Sequence, residues 1–163
     1  MQLNAKETTI TKSLLKIVKF VDGDGIILED IVSKKEFEVR LYGIDAPEIN
    51  YCKKIKKDEI ELQVPAALLI KLGYLSFNFL KDQVNLGDVC TLIQEQNNLV
   101  DKYGRHLGYL ILSDGRVLNE IMVKEGYAKP YNEVFCEKLP MYQQLNLQAK
   151  ISRKGLYFQV DKF

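Results

Sequence analysis

The chain has 163 residues, of which 47% are hydrophobic and 28% are charged. A chain of this length forms about one domain and buries enough apolar surface for a core without disulfides or metals. Its 23 basic and 22 acidic residues give a formal net charge of +1, a balance that by itself argues against a general polyanion binder. No stretch approaches the roughly 20 apolar residues of a membrane helix, so we expect no membrane partner.

The numbers of histidines and cysteines limit which metal sites and disulfides the chain can form. His106 is the only histidine, which excludes any site that needs two, such as the zinc sites of metallopeptidases and zinc fingers. The odd cysteine number (Cys52, Cys90 and Cys136) and the absence of a C-x-x-C pair favour buried small hydrophobic residues. One disulfide with a free thiol is the alternative. The polar first residues lack the apolar segment of a signal peptide, so none is expected.

The first part of the chain is predicted to be a polar tail over residues 1–13, followed by one domain over residues 14–163. The domain opens with runs rich in Ile, Val and Phe, separated by the turn sequence DGDG and by a short SKK connection. Such runs favour strands, and Asp-Gly pairs favour tight turns. We therefore predict a three-stranded antiparallel meander, with strands at residues 14–21, 26–32 and 36–44.

The rest of the chain alternates between loop, helix and strand patterns. Residues 45–63 are charged and are predicted to be a loop, whereas residues 64–81 have helical periodicity with Pro65 in the first turn. Two strands and two helices follow, at residues 88–95, 106–112, 117–126 and 134–152. Five strands with a helix between the third and fourth indicate an α+β protein, mainly a β barrel, namely a five-stranded OB-fold barrel with three α-helices.

Three polar clusters stand out against this background: Asp22-Gly-Asp24-Gly, the segment from Arg40 to Glu48, and the segment from Asp101 to Arg105. Each cluster by itself is ordinary, because such sequences also form turns and solvated strand ends. Together they contain the groups that phosphodiester hydrolysis needs.

The roles of these groups follow from their chemistry. The carboxylates of Asp24 and Asp45 are hard oxygen ligands suited to Ca²⁺ or Mg²⁺. Glu48 is close enough in sequence to Asp45 to orient or deprotonate a water beside that metal. Arg40 and Arg105 offer forked, permanently charged donors for a phosphate. Since neither a histidine nor a nucleophilic side chain is required, this hypothesis agrees with the histidine count.

The sequences VDGDG, VRLYGIDAPE, DKYGRHLGYL and DGRVLNEIMVKEGYAK resemble the staphylococcal nuclease (thermonuclease) family. The resemblance covers about residues 14–155. It implies a five-stranded OB barrel with three helices. It also implies a monomeric, Ca²⁺-dependent nuclease that hydrolyses DNA and RNA at the P–O5′ bond and leaves 3′-phosphate ends.

The resemblance also implies a role for each matching residue. Asp24 and Asp45 correspond to calcium ligands, and Ala46 replaces a threonine whose backbone carbonyl is a further ligand. Glu48 corresponds to the general base or water-positioning group. The residues matching phosphate and nucleotide contacts are Arg40 and Arg105 at the reacting phosphate, Lys102 and Tyr103 at a terminal phosphate, and Tyr131 stacked on a base.

Two departures from the family pattern affect what is expected of the site. Gly25 replaces the threonine that usually follows the first calcium ligand, which is expected to weaken metal binding. The lysine-rich residues 49–63 do not match the family, and they are either a solvated mobile loop or a flexible electrostatic clamp on the phosphate backbone. The alternative function is a non-catalytic OB-fold module that binds nucleic acid or protein. Retention of both arginines and Glu48 argues against it.

Overall fold

The computed structural model describes residues 8–163. Its strands are β1 (Thr9–Phe20), β2 (Gly25–Asp30), β3 (Glu36–Leu41), β4 (Ile44–Asp45), β5 (Val89–Glu95), β6 (His106–Leu112) and β7 (Lys129–Pro130). Its α-helices are α1 (Lys53–Leu62), α2 (Ala66–Gln83), α3 (Leu118–Lys124) and α4 (Leu139–Ile151), with a 3-10 helix at Gly155–Phe158.

Five strands form a closed barrel in the order β1-β2-β3-β6-β5, which confirms the predicted α+β, OB-like fold. The predicted meander is present, since β1 pairs antiparallel with β2 and β2 pairs antiparallel with β3. Closure depends on a parallel pairing between β3 and β6, in which Val39 lies opposite His106 and Leu41 opposite Gly108. This pairing brings the end of β3 beside the start of β6.

The core consists of the barrel interior together with the inner faces of α3 and α4. Alternate strand residues point inward, as the two-residue period of a strand requires. Buried examples, each 0% exposed, are Ile17, Ile26, Leu28, Val39 and Leu92. A second apolar cluster joins α2 to α4 and the C-terminal segment through Leu72, Ala149, Leu156, Tyr157 and Phe163. These two clusters fix α2 against the barrel.

Both ends of the predicted meander differ from the structure. β1 begins at Thr9, so the predicted boundary of the N-terminal tail at residue 13 is wrong, and residues 1–7 lie outside the described part of the chain. The third strand ends at Leu41 rather than residue 44, because Gly43 adopts a φ of 73° and turns the chain. The residues after this turn form β4, which pairs with β7 instead.

The predicted loop at residues 45–63 contains α1, so the loop prediction is wrong for Lys53–Leu62 and residues 8–163 contain four α-helices rather than three. Only Ile55 of α1 is buried, which leaves almost no apolar periodicity to detect. The helix also carries lysines in its first turn and acids near its end, the reverse of what the helix dipole favours. The sequence therefore lacks a broad apolar face and charges that complement the helix dipole, although Lys, Glu and Leu are good helix formers.

α2 and α3 begin and end within two residues of their predicted bounds. α4 begins five residues later than predicted and ends one residue earlier. Pro65 lies one residue before α2, at the cap, rather than inside its first turn. All three cysteines are free thiols. Cys90 and Cys136 are buried as predicted, whereas Cys52 is only partly buried and lines the cavity described below. Within residues 8–163, no single helix is long and apolar enough to cross a bilayer. Only α1 and α2 taken together have the length and apolar composition of a membrane span, and the two helices are bent by 110° relative to each other.

Candidate active site

A cavity of about 790 Å³ opens at the barrel end where β3 meets β6. It brings together residues that are far apart in the chain, from the β1–β2 turn, the end of β3, β4, α1, the turn before β6 and the residue after β7. The predicted site residues that line it are Asp24, Arg40, Asp45, Glu48, Lys102, Tyr103, Arg105 and Tyr131. Ala46 lies just behind this surface and is buried.

The pairing of β2 with β3 places Asp24 beside Arg40. Gly25 lies opposite Arg40 in this register, and the Leu41 amide donates to the Asp24 carbonyl at 2.8 Å. The side chains then meet, with Arg40 Nη1 2.9 Å from Asp24 Oδ2. Both side chains are largely buried, at 13% and 9% exposure, so this ion pair is shielded from water.

Arg40 also holds the β4 segment. Its Nη1 donates to the Ile44 carbonyl at 2.9 Å, and its Nη2 lies 3.3 Å from Asp45 Oδ1. Burial alone lowers the pKa of Arg40, but the carboxylates of Asp24 and Asp45 outweigh burial and raise it. The guanidinium is therefore a permanently charged link between the two acids that the sequence assigned to a metal.

Ala46 contributes a contact that the sequence did not predict. Its backbone N–H donates to Asp24 Oδ2 at 2.8 Å in a fully buried hydrogen bond. This close packing requires Gly23, where a β-carbon would lie 2.7 Å from the Ala46 β-carbon and 2.4 Å from Ser76 Oγ. The role of the Ala46 carbonyl as a metal ligand stays a prediction.

Asp22 is a cavity residue that the sequence analysis left without a role. Its Oδ1 accepts the Asp24 amide at 3.1 Å. Burial and the neighbouring Asp24 raise the pKa of Asp22 to about 7. A β-carbon on Gly25 would lie 2.9 Å from Asp22 Oδ1, so this glycine makes room for the carboxyl group. The first aspartate of the D-G-D-G motif was the available signal for this residue.

Lys54 is the second residue that sequence reasoning missed. Its Nζ lies 2.8 Å from Asp45 Oδ1 and 3.1 Å from Glu48 Oε1. Burial lowers the pKa of Lys54, but Asp45 and Asp24 outweigh burial and raise it. Of the four lysines in the predicted loop, Lys54 alone lines the cavity, and the others, Lys53, Lys56 and Lys57, are exposed on α1. Helical structure at Lys53–Leu62 overturns the mobile-loop reading for these residues.

Arg105 is positioned by Asp101 rather than by the metal-site acids. The Arg105 Nε lies 2.7 Å from Asp101 Oδ2. The other oxygen, Asp101 Oδ1, accepts the amides of Tyr103 at 2.9 Å and Arg105 at 3.0 Å. Burial raises the pKa of Asp101, but these hydrogen bonds outweigh burial and lower it. Asp101 therefore shapes the turn and aims the guanidinium.

The three predicted substrate-binding residues lie around the cavity mouth. Lys102 and Tyr103 are exposed at the tip of the turn, with Lys102 Nζ 5.1 Å from the Tyr103 ring centre. Tyr131 lies on another side, where its amide donates to the Gly43 carbonyl at 2.8 Å. The Arg40 guanidinium is 5.6 Å from the Tyr131 ring centre. Aromatic faces and cations thus alternate around the opening.

The carboxylate oxygens of the cavity are chemically suited to bind a hard divalent cation. Asp24 and Asp45 contact the same guanidinium, so their carboxylates lie close together, and Glu48 is linked to Asp45 through Lys54. Oxygen ligands of this kind are those that Ca²⁺ takes. Within residues 8–163, however, no three His, Cys, Asp or Glu side chains are arranged closely enough to hold one ion. The cations Arg40 and Lys54 lie between the acids.

Comparison with known proteins agrees with this arrangement. Residues 38–159 match the family described as "Staphylococcal nuclease homologue". "Uncharacterized protein MJ1439" of Methanocaldococcus jannaschii is 31% identical over 150 residues, covering 87% of this chain and 70% of that protein.

Two relatives carry endonuclease names. "Endonuclease YhcR" of Bacillus subtilis is 31% identical over 88% of this chain, which corresponds to 11% of that larger protein. An "Uncharacterized endonuclease" of Escherichia coli O157:H7 is 30% identical over 90% of this chain and 78% of that protein. With a family match over most of its length and the barrel and site described here, the chain belongs to the staphylococcal nuclease family.

Proposed function

We propose that this protein is a Ca²⁺-dependent nuclease that hydrolyses the phosphodiester bonds of DNA and RNA without sugar specificity. Membership of the staphylococcal nuclease family and the endonuclease names of its relatives support nuclease activity. The observation that carries the proposal is that two aspartates, one glutamate and two arginines line the same cavity. Cleavage of the P–O5′ bond, leaving 3′-phosphate ends, is the expected outcome.

The chain's own residues divide the chemistry of this reaction between them. Glu48, whose side chain is 32% exposed, is open enough to the cavity to orient a water and accept its proton as the water attacks in line. Arg40 and Arg105 stabilise the charge that develops on the phosphate oxygens. Arg40 is held rigidly by Asp24 and Asp45, so its orientation costs little reorganisation during the reaction.

Asp24, Asp45 and the Ala46 carbonyl would hold the Ca²⁺. When bound, the ion supplies positive charge that activates a water and stabilises the phosphate in the transition state. The charge of the cavity supports this requirement. Five acidic and four basic side chains line it, so its formal charge is −1 when all are ionised. Substrate binding should therefore strengthen when Ca²⁺ is present, which a binding titration with and without the ion would test.

The residues around the mouth favour a substrate with unpaired bases and any sequence. Tyr131 and Tyr103 are positioned to offer aromatic faces, and stacking on such faces tolerates every base. Lys102 and Arg105 lie near the Tyr103 ring, where they would bind phosphates next to a stacked base. Because stacking and phosphate contacts involve groups that DNA and RNA share, such a site would accept both.

The test is a cleavage assay on single- and double-stranded DNA and RNA with Ca²⁺, Mg²⁺ or a chelator. We expect cleavage with Ca²⁺, none with chelator, and 3′-phosphate termini in the products. Glu48→Gln should lose about 100-fold or more of the rate, the usual contribution of a general base. Glu36→Gln, which changes an exposed glutamate on β3, is the matched control and should retain full activity.

Two other results would reject the proposal. Absence of Ca²⁺-dependent cleavage between pH 7 and 10 would exclude the calcium nuclease. A gel shift that persists in chelator without any cleavage would favour the non-catalytic OB-fold binding module instead.

A further inference from the structure

Lys54 contacts two of the acids that the proposed function assigns to metal binding and water activation. Its ammonium lies between Asp45 and Glu48, at 2.8 and 3.1 Å from their nearest oxygens. The Asp45 oxygen that it contacts, Oδ1, is the same atom that faces Arg40. Asp45 is only 11% exposed, whereas the Lys54 and Glu48 side chains are 36% and 32% exposed, so the contact extends from the inner wall of the cavity toward its opening.

Helix α1 is what delivers this side chain. The helix starts at Lys53, five residues after Glu48, and its buried Ile55 anchors it. Lys54 therefore projects from a fixed backbone position toward the acids. Its neighbours Lys53 and Lys56 are exposed. The contact is thus specific to one position of the helix rather than a general effect of a lysine-rich segment.

An ammonium and a divalent cation make competing demands on the same oxygen atoms. Both are held by carboxylates, and two cations cannot share one small acidic site without mutual repulsion. The described residues contain no ready-made group of three metal-ligating side chains. Lys54 contacts an oxygen of each of two candidate acids, so these oxygens face an ammonium.

We infer that Lys54 is an internal counter-ion of the active site, which offsets part of the negative charge of Asp45 and Glu48 and must leave them before a divalent cation binds. The inference rests on the proposed function, because it assigns the same acids to the ion. Lys54 thereby stabilises the folded protein without metal and weakens its affinity for metal. Removing the ammonium should reverse both effects.

The experiment compares Lys54→Met with Lys53→Met. Both variants remove one positive charge from adjacent positions of α1, but only the first loses contact with the acids. We expect Lys54→Met to bind Ca²⁺ about fivefold more tightly than Lys53→Met, since water screens the partly exposed ammonium and limits its repulsion of the ion. Calcium affinity is measured by isothermal titration calorimetry, independently of activity.

Thermal unfolding in chelator provides the second readout. Lys54→Met should have a lower Tm than Lys53→Met, because Glu48 loses its contact with the ammonium and Asp45 keeps only Arg40 as a counter-charge. Saturating Ca²⁺ should raise the Tm of Lys54→Met more than that of Lys53→Met. Lys54→Arg, which retains the charge, should resemble the unaltered protein in both measurements.

Equal calcium affinities for the two methionine variants would overturn the inference, as would equal Tm values in chelator. If the unaltered protein cleaves nucleic acid only with Ca²⁺ while these values are equal, the proposed function stands and the counter-ion role fails. If no variant binds Ca²⁺, both the competition and the calcium dependence are wrong.

Discussion

The backbone carbonyl of Glu48 lies directly against Gly73 of α2, so closely that a β-carbon on Gly73 would be 2.3 Å from the Glu48 oxygen. The same β-carbon would lie 2.8 Å from the Pro47 carbonyl oxygen. The segment that carries the proposed general base is therefore seated on the helix through a glycine. A glycine inside a helix, which by propensity alone weakens the helix, has a packing reason here.

Gly73→Ala should displace Glu48 and lower both activity and stability. In an exposed helix this change usually stabilises by up to about 1 kcal/mol. Here we expect destabilisation by roughly 1–3 kcal/mol from overpacking against rigid backbone, with a fall in kcat. Denaturant unfolding and cleavage kinetics measure the two effects. Lys71→Ala, at an exposed position of the same helix, is the control, and a Gly73→Ala protein of unchanged stability would contradict the packing argument.

Arg40→Ala should remove both a transition-state contact and the link between two buried acids. We expect kcat to fall by about 100-fold or more, the usual effect of losing one donor to a developing oxyanion. In chelator the unfolding free energy should fall by roughly 3 kcal/mol, because Asp24 remains buried without a counter-charge while Asp45 keeps only Lys54. Arg40→Lys should recover part of the stability but little of the rate. Unchanged turnover in Arg40→Ala would refute its assigned role.

Asp101→Asn should impair catalysis through Arg105 while keeping the turn. The asparagine oxygen still accepts the amides of Tyr103 and Arg105, but the charged contact with Arg105 Nε is lost. We expect about a tenfold fall in kcat/KM, since a charge-assisted hydrogen bond then no longer orients the guanidinium.

Asp114→Asn is the matched control for this prediction. Asp114 makes the same pair of contacts with Arg116, to its Nε at 2.8 Å and its amide at 3.0 Å, but neither residue lines the candidate active site. Equal losses of kcat/KM in the two asparagine variants would show that Asp101 has no special role.

His106 should titrate below the ordinary histidine range. It packs against Phe37 with ring centres 4.7 Å apart, its Nδ1 is buried without a hydrogen-bond partner among the described residues, and burial and Lys12 lower its pKa from 6.5. The folded state then binds fewer protons than the unfolded state. Stability is therefore complete above pH 6.5 and declines as the pH falls toward the lowered pKa.

The pKa of His106 can be measured by an NMR titration of its ring signals. The sequence has one histidine, so these signals need no further assignment. Acidification below pH 6.5 should lower the free energy of unfolding less in His106→Gln than in the unaltered protein, because the variant has no histidine to titrate. A pKa at or above 6.5 in the folded protein would contradict the prediction. The ring is half-buried on β6 and does not line the cavity.

Strand alternation and turn chemistry were sufficient to predict most of the barrel. The strand at residues 106–112 was predicted with the bounds that β6 has, because Gly and Asp turn signals delimit it and its residues are β-formers. The start of β1 was missed although Thr9, Ile10 and Thr11 are β-formers, because the segment follows a polar stretch. In the structure these residues pair with β5.

The composition by itself determined the charge balance, the single histidine and hence the kind of chemistry that is available, and the local motifs named the acids and arginines. Only the tertiary structure decided which of these groups meet. The parallel contact of β3 with β6 brings Arg40 and Arg105 to one cavity, and α1 inserts Lys54 between Asp45 and Glu48. The net charge of +1 is an average over the whole chain, whereas the site depends on a few charges held within 4 Å, where Coulomb interactions are strong.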